Sequence, residues 1–545
     1  MMLKALGIFL GLIILVNTVF AQRNTEQNKN RPPLVVGIVV ENMRTDYIQR
    51  YWDKFQEGGF KKLVESGSVC SDARIEQLVQ KSAPGMATLF TGTNPSTHGI
   101  ISNEWYNRMK ANTINCVKDE YFITLGSDSK EENCSASNLR AETIGDYLKK
   151  SFSLHSKVYS VALNNTSAVL SAGHAANGAF WLDITTGNMV TSSYYMGEFP
   201  NWIRDFNTKN MANEYMTREW TTLLPTSMYT ESLADDYILE KGYYEKWNTF
   251  PYQLDKLKKR AESIKPLKTT PFGNTLVKDF ALRLIEEEQL GKDENTDLLT
   301  VTFSSMDYEN NSFGPNSIEM QDTYLRLDQE IMHLLRYLDK EIGTGNYLIF
   351  LTSNVSASYS PQFLKEDLRM PAGEFTPQSS IALLKSFLNI TYGQGEWILE
   401  DTDNQIYLNH KLIEKNKINL DDIQNKAANF LNDFEGVKIA IPTHLLQKGG
   451  TFNGKMTSFI NTYNYKRSGD ILYMLEQGWW PKYKYKRTEY TANNHIPMIF
   501  FGSNIKPGTV NTKVSATDLV PTLCRILSLD LPDYTEGKLI QGITW

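Results

Sequence analysis

The chain predicts an α/β fold: a mostly parallel sheet sandwiched by helices, with a cap insertion and a small α+β insertion. Three observations lead there. Short β-branched runs alternate with longer amphipathic stretches, the rhythm of strands joined by crossover helices. Several of those runs are apolar throughout, as strands covered on both faces must be. The length of 545 residues exceeds what one core normally serves, so one large domain with substantial insertions is expected.

In chain order, residues 1–21 read as a secretory signal. Lys4 supplies the positive charge, Ala5 to Val16 the apolar core, and Val19-Phe20-Ala21 the segment before a cut at Gln22. Residues 22–33 are polar and read as a flexible leader. The apolar stretch is too short and wrongly flanked for a span, and no later run is long enough to cross a bilayer. The chain is therefore expected to be exported, periplasmic or associated with the cell surface, and not membrane-spanning.

The α/β domain is expected over residues 34–545. Leu34 to Val40 reads as a buried strand, with further core strands at Val158 to Leu163, Asp297 to Phe303, Tyr347 to Thr352 and Ile496 to Phe501. Apolar residues at helical spacing predict one long helix over Ser317 to Leu338. Two regions break the rhythm. Residues 194–268, rich in Trp, Tyr and Met, read as an aromatic cap; residues 381–450 read as a small α+β insertion.

Lys and Arg number 56 and Asp and Glu 62, a formal net charge of −6. That near balance gives no ground for nucleic-acid binding. Cys70, Cys116, Cys134 and Cys524 lack metal-ligand spacing. An oxidising compartment permits disulfides. Cys116 with Cys134 is the natural pair, since both lie in one polar stretch, while Cys70 and Cys524 read equally as buried thiols.

Glu41, Asp307 and Asn354 each follow a predicted strand, so they are expected at one crevice beyond the carboxyl ends of the sheet. Around them stand distinctive segments: Lys81-Ser82-Ala83-Pro84-Gly85, Val40-Glu41-Asn42-Met43-Arg44, Ser305-Met306-Asp307-Tyr308 and Asn494-His495-Ile496-Pro497. Together with Phe313-Gly314-Pro315 and Tyr465-Lys466-Arg467-Ser468-Gly469-Asp470, they resemble the PafA-type alkaline phosphatase family. That family belongs to the alkaline phosphatase superfamily, close to the nucleotide pyrophosphatases/phosphodiesterases. The resemblance covers nearly the whole mature chain and implies an alkaline-phosphatase-like fold. It also implies a Thr or Ser alkoxide that attacks phosphate with the help of two zinc ions.

Carried over position by position, the resemblance brings few of the family's ligands. Glu41 stands at the first metal Asp, Ser82 at the nucleophile, and Asp307 is kept. Asn311 replaces the His of D-Y-x-x-H, and Asn354-Val355 replaces a paired Asp-His. Between Tyr485 and Ala492 no His occurs, leaving His495 nearby. Zinc takes about four N, O or S donors per ion, so no zinc is expected to bind. Asn103 matches the family's phosphate-contacting Asn, but Asn164 and Thr166 occupy the positions of the Lys and Arg that neutralise phosphate. Catalytic and metal roles are therefore expected to be vestigial.

Each retained residue also has an ordinary structural explanation. Ser82 before Ala83-Pro84 fits a helix N-cap, Asp307 a turn cap or ion pair, and Asn103 a turn. Glu41 at a buried strand end needs a partner. His174 and His495 read as structural histidines, and Arg326 and Asp328 as partners in surface or interdomain pairs.

The sequence thus predicts an exported, inactive pseudoenzyme that binds or scaffolds in the cell envelope, with an envelope protein or glycan as partner. The alternative is a metal-dependent phosphomonoesterase or phosphodiesterase. It would use Ser82 with one cation on Glu41 and Asp307, and Glu309 or Asp46 as further ligands. A third reading places a carbohydrate or peptide in a groove lined by Trp202, Trp220, Tyr243, Tyr244 and Trp247, aromatics that more often pack a cap onto its core.

Overall fold

Residues Leu34–Val40 (β1) form a strand because their β-branched side chains can be buried on both faces at once. Val36, Ile38 and Val40 enter one core and Val35 and Val39 the other, as the period of a strand demands. Gly37 interrupts the run where a Cβ would lie 2.3 Å from the Phe350 ring. The computed structural model describes residues 31–127, 129, 132–152, 154–244, 246–303, 313–447, 456–482 and 494–545.

Ten further strands join β1. They are Ser68–Arg74 (β2), Thr124–Leu125 (β3), Val158–Val161 (β4), Gly178–Leu182 (β5), Met189–Ser192 (β6), Asp297–Phe303 (β7), Tyr347–Thr352 (β8), His495–Ile496 (β9), Met498–Gly502 (β10) and Gly508–Ser515 (β11). Among the described residues they make an 11-stranded sheet in the order β9-β2-β10-β8-β1-β7-β4-β5-β6-β3, with β11 beside β2. Strands β8, β1, β7, β4 and β5 run parallel, and the flanks turn antiparallel at β10 and β6. The sheet is therefore mostly parallel at its centre, as expected. The expected strand at 496–501 is split at Pro497, which has no N–H for the ladder.

Register brings the strand ends level. Val40 pairs with Phe303 and Val39 with Thr352, so the residues that follow β1, β7 and β8 leave the sheet at one edge. On one face lie Ser82–Thr91 (α1) and Asn165–Ala172 (α2), on the other Pro271–Glu287 (α3) and Ile318–Leu338 (α4). The long helix matches its expected span, with Ser317 as N-cap, its hydroxyl accepting from the Met320 N–H. Arg326 pairs with Asp322 at 2.7 Å. Asp328 departs from the expected ion pair: among the described residues it accepts the Gln56 and Phe60 amides at 2.7 Å each.

The leader ends earlier than expected. The Pro33 carbonyl accepts from Asp297 N–H, the Pro32 carbonyl from the Thr296 hydroxyl, and Arg31 lies over the Phe152 ring. In the 194–268 region, Trp202, Trp220 and Tyr243 are buried in the same core as β1, and Trp247 packs against it. Tyr244 stays part-exposed under Arg260. These aromatics fasten the segment to the sheet instead of lining a groove.

The small α+β unit is wider than 381–450. Its four-stranded sheet takes Ile398–Thr402, Gln405–Leu408, Val437–Pro442 and also Ile471–Leu475, with Pro377–Tyr392 (α5) and Leu420–Asn432 (α6) packed on it around a separate core. All four cysteines are buried free thiols, so the expected Cys116–Cys134 bridge is not formed. Backbone hydrogen bonds between the segments already hold them together, Ser135 N–H to Val117 O and Asp119 N–H to Asn133 O. Burial pushes the Cys116 and Cys524 thiols up to about 12, which leaves them inert. No helix among the described residues is long and apolar enough to cross a membrane.

Candidate functional site

Glu41 follows β1 directly, its N–H still bonded to the Phe303 carbonyl at 3.0 Å, and its side chain is 2 % exposed. A carboxylate so placed requires compensation. Among the described residues neutral groups contribute to it: the Ser167 hydroxyl and the Asn354 side-chain amide both donate to Oε1, the latter at 3.2 Å, and Asn164 donates to Oε2 at 3.4 Å. Asn164 is also the N-cap of α2, its oxygen accepting from the Ser167 N–H at 2.8 Å. One turn of backbone thus aims both Asn164 and Ser167 at Glu41. Ser167 escaped the sequence reading, although its position three residues beyond an Asn is that of a capped helix start.

Asn354 is fully buried just beyond β8, and its Oδ1 has no hydrogen-bond partner. Its main chain also fixes the nucleophile segment. The Asn354 carbonyl presses against Gly85 on the first turn of α1, where a Cβ would lie 2.0 Å away, so only glycine admits this approach. Val355, next along, is buried and offers no donor atom to a metal.

Ser82 is the first residue of α1, and the N-cap position belongs to Lys81. The cap expected from Ser82 is provided from outside: Asn103 Oδ1 accepts the Ala83 N–H at 3.0 Å. Asn103 is therefore more than a turn residue. Lys81 forms an ion pair with Asp403 at 2.6 Å, and Ser102 donates to the other oxygen of the same carboxylate. Asp403 and Asn404, both with positive φ, make the tight turn between two strands of the α+β unit. The insertion thus reaches back to the residue before Ser82. Thr166 donates to Asn165 at 3.4 Å and makes no such approach to Glu41.

Two outlying candidates are engaged by other groups. His495 lies on β9 with Asp72 at 3.5 Å, beside strand β2. Asp46 is held by Arg44 and Arg50, so it is no spare ligand. His174 bonds to Asp146 and to the Leu139 carbonyl, which makes it structural as expected. Asp307, Glu309 and Asn311 lie outside the described residues. Among the described residues no three His, Cys, Asp or Glu side chains are placed to share a metal ion.

The site thus sets a helix headed by Ser82 at the carboxyl edge of a mostly parallel α/β sheet. The model of the type I phosphodiesterase / nucleotide pyrophosphatase family matches residues 35–497, and the chain belongs to that family. It is 37% identical over 542 residues to the alkaline phosphatase PafA of Elizabethkingia meningoseptica, covering 98% of each chain. It is 35% identical to the alkaline phosphatase PhoV of Synechococcus elongatus, covering 95% of this chain and 94% of PhoV. The crystal structure of wild-type PafA superposes with a TM-score of 0.89 at 36% identity, over 94% of this chain and 99% of PafA. The alkaline-phosphatase-like fold is thereby established.

Proposed function

We propose that this chain is an exported, alkaline-phosphatase-like pseudoenzyme, retained for binding or scaffolding in the cell envelope. One observation carries the reading: among the described residues, the groups that donate to the Glu41 carboxylate, Ser167, Asn164 and Asn354, are all neutral. Two carboxylates facing each other at this distance repel unless a cation or a shared proton lies between them, whereas an amide facing a carboxylate donates a hydrogen bond to it. Asn354 thus removes one negative charge that a metal would otherwise offset. Asn164, at the position of a phosphate-binding lysine, is likewise turned toward Glu41. The remaining cation beside Ser82, Lys81, is engaged by Asp403. The apolar run and small residues of 1–21 support export.

The test is a zinc titration of chelator-stripped protein, read as bound metal per chain. The proposal expects well under one zinc per chain; two zinc ions bound tightly would overturn it.

A second reading, a working phosphate-ester hydrolase, is favoured by the identity to PafA and PhoV. The intact frame of Ser82, Gly85 and Asn103 also favours it. It requires a cation site completed by Asp307. Hydrolysis of phosphate mono- and diesters that disappears in Ser82→Ala would establish it in place of the first.

A further inference from the structure

His174 stands just beyond the C-terminal end of α2, and both of its ring nitrogens face acceptors. Nδ1 lies 3.1 Å from Asp146 Oδ2, and Nε2 lies 3.0 Å from the Leu139 carbonyl oxygen. A carbonyl only accepts. Asp146 is committed to accepting as well. Its Oδ1 takes the His174 and Ala175 N–H groups at 2.9 and 2.7 Å, and its Oδ2 takes the Thr143 N–H and hydroxyl at 2.8 and 3.0 Å. A neutral imidazole carries one N–H and serves only one of these two neighbours, whereas the imidazolium serves both.

The backbone reinforces the charge. His174 follows Gly173, the C-cap of α2, where a helix favours a cation; Asp146 lies in the first turn of the helix Ile144–Ser151, where a helix favours an anion. Gly173 has φ +80°, and a Cβ there would lie 2.2 Å from Thr143 Oγ1, so glycine alone lets ring and carboxylate meet. The Asp146 side chain is 2% exposed and that of His174 32%, so solvent reaches the ring but not the carboxylate. The hydrogen bond to Asp146 outweighs burial and holds the His174 pKa above its ordinary 6.5. Burial opposes the charge on Asp146, yet His174 and the Thr143 and Ala175 amides hold its carboxyl below the usual range. Of the other charged or titratable groups nearby, Glu142 adds to the pull on the ring and pairs with Lys150, and Lys149 bonds to Asn177 at 2.7 Å. Arg140 stands beside Gly99, and Tyr195, packed edge-on with Tyr194, donates to the Gly173 carbonyl at 3.0 Å.

We infer that the His174 imidazolium is a proton-operated clasp that ties the C-terminal end of α2 to residues 139–146. On deprotonation the Nε2 proton leaves for solvent, Nδ1–H stays on Asp146, and a nitrogen lone pair is left facing the Leu139 oxygen. That contact then opens. The other end of α2 presents Asn164 and Ser167 to Glu41, so the clasp sets how firmly those two donors are held. Because the folded pKa is raised, the contribution is complete below 6.5 and is lost as pH rises through the folded value. The clasp stands whether or not the chain hydrolyses esters.

The test is hydrogen–deuterium exchange of the mature chain between pH 6 and pH 9, corrected for the intrinsic pH dependence of exchange, beside His174→Gln. In the wild type, protection of residues 139–146 and 168–175 should fall on the order of tenfold across that range. In His174→Gln it should start low and stay flat. Nitrogen-15 shifts of the wild-type ring should show both nitrogens protonated at pH 7. Protection that does not change with pH, or that changes equally in the variant, would overturn the inference, as would a ring with a single N–H at pH 7. The wild-type exchange profile and ring shifts decide the matter even if the variant folds poorly.

Discussion

Asn354 shows how one atom exchanged for another alters the demands of the site. Its amide nitrogen lies 3.2 Å from Glu41 Oε1, fully buried. Asn354→Asp would set two carboxylates against each other there, and we expect it to destabilise the protein by about 2–4 kcal/mol at pH 7. Urea unfolding measures this, and the loss should shrink in mild acid as one carboxyl takes up a proton. An unchanged midpoint at neutral pH would mean that Glu41 is compensated by something other than these amides. The substitutions at 354, 355, 164 and 166 were legible in the sequence because they interrupt recognisable motifs. What they do instead was not: that Asn164 and Asn354 both turn to Glu41 depends on strand register and a helix cap meeting in space. Ser167 belongs to the same category, as a serine with no motif of its own.

At the scale of elements, the nucleophile helix is held by two close approaches. Gly85 meets the Asn354 carbonyl, and Lys81 meets the Asp403 turn. Gly85→Ala inserts a methyl where no space exists and should destabilise by about 1–3 kcal/mol. Asp403→Ala removes an ion pair whose partners are 21% and 11% exposed, and should lose about 1 kcal/mol. Denaturant midpoints of the two variants check both values; an Asp403→Ala protein as stable as wild type would show that the turn merely rests on α1. Strands β1, β7 and β8 and helix α4 were readable because apolar runs and helical spacing are local signals. The docking of residues 403 and 404 onto Lys81 was not, since nothing local links positions more than three hundred residues apart. The edge of the α+β unit was missed because Ile471–Leu475 lies beyond the expected boundary at 450 and returns to pair with Gln405–Leu408 and Val437–Pro442.

For the molecule as a whole, buried titratable groups set opposite limits on stability against pH. His98 is fully buried, with Nδ1 accepting the Ile100 N–H and Nε2 next to the Thr88 hydroxyl. Burial holds its pKa down at about 3, against 6.5 unfolded. The unfolded chain therefore binds the extra proton, and this contribution to stability is lost as pH falls below 6.5 toward 3. Glu240 and Glu319 act in the other direction. Their folded pKa values are raised above 4.5, so the fold is favoured in acid and weakens as pH rises through about 8 and 10. The unfolding midpoint should fall between pH 7 and pH 9, and Glu240→Gln should flatten that decline. A midpoint independent of pH over this range would show that neither carboxyl is strained in the fold.

The alkaline-phosphatase-like fold surrounds a carboxylate whose donors among the described residues are neutral, and the proposed loss of ester hydrolysis is open to direct test. The most direct measurement is the hydrolysis of an aryl phosphate monoester and of an aryl phosphodiester by the mature chain with added zinc, beside Ser82→Ala. The account predicts indistinguishable rates near the uncatalysed level for both proteins. Turnover by the wild type that falls a hundredfold or more (about 3 kcal/mol of barrier) on loss of the Ser82 hydroxyl would contradict it.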